Sequence, residues 1–260
     1  MGTNLKFFGP NELNSSDSYT FTSASANLDY YLYDDDLSKQ LTSSGSDDVT
    51  DEVITVDFSN TVTADRIFVG NHNIKAGNLQ YSDDDQGSWK DFSPAISWSA
   101  NTDTHNYYEV TEVSGITDLR LTINTTQTVN DEKRVGQLRL FSELHEMVKN
   151  PWNVDREYFK KQIRNETDSG GSRIVNKGTK FRATIFFSGL QQTDSDALWD
   201  VSDRNSSFYV YMGGGRTDLW QRGWRVQDMY LVNWLGAFAP AVKGRIYDLG
   251  DDIQVDLEEV

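Results

Sequence analysis

The alternation in residues 53–92 constrains the fold more than any other feature of the sequence. In VITVDFSNTVTADRIFVGNHNIKAGNLQYSDDDQGSWKDF, Ile54, Val56 and Phe58 alternate with Thr55 and Asp57. That is the period of two of a half-buried strand. Ile67 with Val69, and Leu79 with Tyr81, repeat it. Between them, residues 59–65, 71–78 and 83–87 are rich in turn formers. The pattern continues over residues 21–145, with further strands expected at 107–113, at Leu119, Leu121 and Ile123, and at Leu138 and Leu140. Residues 94–106 and 124–133 read as polar loops, and Trp89 as a core residue. Some eight short strands without an amphipathic helix predict a β-sandwich. Residues 1–20 read as an N-terminal arm that docks through Phe7 and Phe8.

Charge divides the chain. The whole carries a net charge of −16. Residues 1–150 hold 24 acidic and 10 basic residues, whereas residues 151–260 hold 16 and 14. The step predicts a boundary near residue 150, with residues 146–158 as a partly helical linker around Pro151. So acidic a first half repels nucleic acid and anionic membranes, and no apolar run reaches the length of a membrane span. With no cysteine, disulfides and thiolate metal sites are excluded. The first ten residues hold no apolar run of signal-peptide length, and folding in a reducing cytosol is expected.

The second half reads as a β-rich domain, residues 159–260, with one flanking helix. Phe181, Ala183, Ile185 and Phe187 share one face of an amphipathic strand. A helix is predicted over 193–204, with Thr193 as N-cap, Asp194 and Asp196 in the first turn, and Asn205 near the stop. Strands are expected at 207–212, 224–235 and 246–257, with a tight turn at 213–216. Aromatic and arginine side chains are abundant here. Phe186, Tyr209, Tyr211, Arg216, Trp220, Arg222 and Trp234 are candidates for a subunit interface, with a well-filled core as the alternative.

No catalytic set emerges. His72, His105 and His145 are far apart and form no zinc-binding pair. There is no nucleophile elbow, and the triple glycine lacks the Lys-Ser or Lys-Thr of a phosphate loop. No enzymatic role is expected.

Two resemblances add to this reading. SDDDQGSW (residues 82–89) is similar to a hairpin signature of discoidin-like, galactose-binding-type sandwiches, as are GNHNIK at 70–75 and VGQLRLFSEL at 135–144. The resemblance implies glycan binding by loops at one end, here His72, Asn73 and Lys75 with Trp98 and His105, Trp98 having a core position as its alternative. It also implies a structural Ca²⁺ held by Asp34, Asp35 and Asp36, the alternative being a solvated acidic turn. Residues 180–260 resemble structural proteins of tailed-bacteriophage virions in the order of strand, helix and aromatic strands. That implies a ring or trimer of copies joined to other tail proteins in a virion assembled in the host cytoplasm. The sandwich would then face outward toward a host-surface glycan. A free carbohydrate-binding protein or adhesin is the alternative, and a glycan depolymerase a third.

Overall fold

The computed structural model describes residues 4–24, 26–34, 36, 39–45, 47–148, 151, 153–166, 172–204, 207–211, 229–235 and 252–259. Described residues 9–143 form one compact unit, and residues 4–8 with those from 144 onward form a second. The chain is mainly β, with one α-helix among the described residues.

The first strand, β1 (Lys6–Phe8), is followed by β2 (Ser18–Phe21), a short 3-10 helix (Ala26–Leu32) and β3 (Leu41–Thr42). Then come β4 (Glu52–Gly70), β5 (Ile74–Ser82), β6 (Lys90–Trp98) and β7 (His105–Thr126). The sandwich unit closes with β8 (Arg134–Val135) and β9 (Gln137–Phe141). Its main sheet runs β2-β4-β7-β5-β6, with β9 also on β4.

β4 and β7 are long enough to pair twice. Glu52–Asp57 pairs with 118–123, and Arg66–Gly70 pairs with 105–109. Register shifts separate the two runs, between Asp57 and Val62 and again up to Arg66. The turn formers of residues 59–65 therefore bend one strand and do not end it, contrary to the expected turn. Opposite them, Gly115 has φ +74, a conformation that costs glycine little. Folded at this bend, the sheet encloses one core. Ile54, Val56, Leu79, Leu119 and Leu121 from one run meet Ile67, Val69, Leu138 and Leu140 from the other. The alternation expected from sequence is present: Ile54, Val56 and Phe58 are buried while Asp57 is exposed. Residues 94–98 belong to β6, not to a loop, because Ile96 and Trp98 turn into the core.

The second unit holds β10 (Glu143–Glu146), β11 (Asn153–Glu166), β12 (Ser172–Ser188), α1 (Gln192–Ser202), β13 (Phe208–Tyr211), β14 (Met229–Leu235) and β15 (Asp252–Glu259). Its sheet runs β10-β1-β13-β14-β15-β12-β11. Residues 4–8 are thus no separate arm, since Lys6–Phe8 pairs with Tyr209–Tyr211 as a sheet strand. Residues 153–158, expected in a linker, are extended and paired with β12. Leu198 and Val201 of α1 pack with Ala183, Ile185, Phe187, Val232, Val255 and Leu257. The N-cap is Gln191, without a side-chain cap bond, and not Thr193. Asp194 is instead turned toward β10, where its Oδ1 accepts from His145 Nε2 at 2.8 Å and from the Val148 amide at 3.0 Å. The helix stops at Asp203. The expected turn at 213–216 lies outside the described residues.

Candidate functional site

The loop-end residues singled out from sequence are occupied with structure. His72 is 1% exposed and Trp98 6%. His72 Nδ1 accepts from the Ile74 amide at 3.2 Å, so Nε2 carries the proton and donates to Asn106 Oδ1 at 2.8 Å. Trp98 Nε1 donates to the same oxygen at 3.0 Å. Burial pushes the His72 imidazole down to about 4, which keeps it neutral near pH 7. Asn73 Nδ2 donates to the Glu132 carbonyl at 2.7 Å, and its Oδ1 accepts from the Arg134 amide at 2.9 Å. Lys75 and His105 are half-buried. Burial, then the Arg139 charge, lowers the His105 pKa. So His72, Asn73 and Trp98 hold the loop end together; His72 and Trp98 are buried, whereas Asn73, Lys75 and His105 are half-buried.

The acidic turn is answered by a lysine. Lys39 Nζ lies 3.5 Å from Asp34 Oδ2 and 3.3 Å from Asp36 Oδ2. Asp34 Oδ1 accepts from Gln137 Nε2 at 2.8 Å and from the Asp36 amide at 2.9 Å. Asp35 lies outside the described residues. Among the described residues no three His, Cys, Asp or Glu side chains gather as a metal site. Lys39 thus supplies positive charge beside Asp34 and Asp36. A second lysine acts similarly. Lys133 is 4% exposed and donates to the carbonyls of Asp47 at 2.5 Å and Thr50 at 2.7 Å.

Of the proposed interface set, Tyr209 and Tyr211 are buried, at 1% and 2% exposure. Lying in an inner strand between β1 and β14, they belong to the interior. Phe186 and Trp234 are half-buried, and Trp234 packs on the core of its own unit. Arg216, Trp220 and Arg222 lie outside the described residues.

The outer face of the sandwich sheet presents a different arrangement. Because Leu119, Leu121, Leu79 and Phe92 point inward, the period of two turns Arg120, Gln80 and Asp91 outward. The pairing aligns them: Thr55 with Arg120, Arg120 with Gln80, Gln80 with Asp91. Arg120 Nη2 donates to Gln80 Oε1 at 2.5 Å, and Gln80 Nε2 donates to Asp91 Oδ1 at 2.9 Å. The hairpin between β5 and β6 folds back over this row. Its tip takes positive φ at Asp85 (+56) and Gln86 (+64), and Asp84 clamps it by accepting from Ser82, the Ser88 amide and Ser88 Oγ. The returning chain lays the Trp89 ring on Arg120, with 4.3 Å from the guanidinium carbon to the ring centroid. Trp89 is half-buried and lies outside the buried core, where it was expected. The sequence signal for this surface was present in Gln80, Arg120 and Asp91, the polar half of each alternating strand. Their register across three strands was not legible.

A half-buried indole beside a row of planar polar groups offers apolar stacking and directional hydrogen bonds side by side. Among the described residues no helix is long and apolar enough to cross a membrane.

No family model matches the chain, and no curated protein matches it. Solved structures similar to it include chitosan-binding module 1 of a chitosanase/glucanase from Paenibacillus sp. IK-5, at 14% identity and a TM-score of 0.42. That likeness covers 50% of this chain and 97% of the module. A Clostridium perfringens module in complex with GalNAc-β-1,3-galactose is similar at 12% identity and a TM-score of 0.39, over 48% of this chain and 94% of that one. A Ruminococcus gnavus fucosidase in complex with fucose is similar at 10% identity and a TM-score of 0.41, over 51% of this chain and 26% of the fucosidase.

Proposed function

We propose that the sandwich unit is a glycan-binding module and that its contact surface is the outer sheet face around Trp89. The observation behind this reading is the half-buried Trp89 ring stacked on Arg120, itself tied through Gln80 to Asp91. The ring meets the apolar face of a sugar, and the carboxylate, amide and guanidinium meet its hydroxyls. The work is done by contact, with no bond made or broken. On a glycan array the full chain is expected to bind, and Trp89→Ala to weaken the titrated affinity by roughly 30-fold, as for a central aromatic anchor. His105→Ala is expected to bind normally. If Trp89→Ala binds like the wild type while His105→Ala fails, the site is the loop end and this reading is wrong.

A second reading concerns the other unit. β11 is an edge strand of its sheet. Its pairing with β12 runs from Asn153 to Glu166, whereas β15 accompanies β12 only over Arg182–Ser188. A two-stranded ribbon thus runs beyond the sheet, and such ribbons are marginal alone. Residues 159–181 carry six basic and two acidic residues, opposite in sign to residues 1–150. We infer that the ribbon joins copies of the chain, with a ring in a phage tail as the setting expected from the sequence. Light scattering of the full chain is expected to give an oligomer that dissociates in high salt. A monomer at all salt concentrations refutes it.

A further inference from the structure

One group of charges on the sandwich has no answering charge among the described residues. Asp57 and Asp118 are direct partners in the β4–β7 pairing and share the outer face. Like charges directly opposite each other destabilise a sheet. Asp118 is 0% exposed, and its Oδ1 accepts from Gln86 Nε2 at 2.9 Å. Its Oδ2 is buried and has no hydrogen-bond partner among the described residues. A buried acceptor without a donor is costly. Partial desolvation, then the charges of Asp118, Asp85 and Asp17, raise the pKa of Asp57. Among the described residues no lysine, arginine or histidine forms an ion pair with any of these four. Arg120, two residues along β7, is engaged by Gln80 and Trp89.

Two adjacent carboxylates, one of them unsatisfied, call for a cationic donor. The residues do not assemble a metal cage. An ammonium group needs only acceptors for its N–H bonds; the exposed Asp57 carboxylate supplies them, and the buried Asp118 lies directly behind it. Gln86, on the exposed hairpin tip, already places a neutral N–H donor on Asp118 and marks where such a donor sits. The next row of the same face, about 7 Å along the strand, is the Arg120–Gln80–Asp91 row under Trp89. Resting on the glycan reading above, we propose that Asp57, backed by the buried Asp118, receives the free ammonium of an amino sugar, so that the glycan of this face is cationic. The net charge of −14 over residues 1–150 draws a polycation toward it.

The probe is a glucosamine hexamer, compared by calorimetric titration of the full chain with its N-acetylated counterpart, which has the same rings without the charge. The glucosamine oligomer is expected to bind roughly tenfold or more tighter, less so in high salt. Asp57→Asn is expected to remove the preference. Asp57 is exposed, so this variant keeps its fold, and an unchanged circular dichroism spectrum checks that. Asp118→Asn is expected to act in the same direction. Equal affinity for the two oligomers, or a preference that survives Asp57→Asn, overturns the proposal. If both oligomers bind equally and both depend on Trp89, the glycan reading stands and only the cationic ligand fails. If neither binds, the cationic ligand is refuted, and Trp89 is judged on the array alone.

Discussion

Replacing Gly77 by alanine is expected to unfold the sandwich at temperatures where the wild type is folded. Gly77 lies in β5 between two neighbours, opposite Ile123 of β7 and Trp98 of β6. A Cβ at this position would overlap the Thr122 carbonyl oxygen and sit 3.3 Å from its carbon. Both are backbone atoms in a paired strand, so no side chain can swing away. Either β5 separates from β7, with loss of ladder hydrogen bonds, or the bulge at residues 74–77 shifts register. Glycine within a strand marks this kind of close backbone approach. Overpacking that backbone motion must relieve costs about 3 kcal/mol or more, a large share of a domain's stability. Gly45→Ala is the control, because nothing lies within 4 Å of its added methyl group. Urea unfolding should shift strongly for the first variant and hardly for the second. Equal midpoints would show that the strands relax freely.

Asp194→Ala is expected to loosen the second unit by a comparable amount. Asp194 is fully buried, and one oxygen accepts from both His145 Nε2 and the Val148 amide. Removing it leaves two donors facing a buried gap. Hydrogen bonds to a charged acceptor contribute about 1.5–3 kcal/mol, and an orphaned donor adds its own desolvation cost. A loss of about 3–4 kcal/mol follows. Asp194→Asn keeps an acceptor oxygen and is expected to recover part of it. Hydrogen exchange localises the effect: amides of α1 and β10 should lose protection, while those of the core run Ile54–Phe58 keep theirs. Loss of protection across both units alike would contradict a local anchor.

The two cases show what was legible in the sequence. Alternation identified Ile54, Val56, Leu79, Leu119 and Ala183 as inward residues, since burial of one strand face follows from the pattern itself. The helix was legible from its apolar stripe. The cap was not, because Asp194 reaches another strand instead of its own helix end. The bend in β4 was read as a turn because a bulge and a turn use the same residues. Trp89 was read as core because its ring position depends on how the 83–88 hairpin folds back, which spacing does not reveal. His72, and Trp98 with a core position as its alternative, read as ligand-binding because their residue types suit a sugar. Their burial is a tertiary fact, set by Asn106 closing on both.

The most direct test of the glycan reading is to follow the tryptophan indole N–H resonances of the full chain while adding the best ligand from the array. The outer-face account predicts that the Trp89 resonance moves, while that of Trp98, held on Asn106 Oδ1, stays in place. Movement at Trp98 with Trp89 unchanged would place the ligand at the loop end and contradict the account.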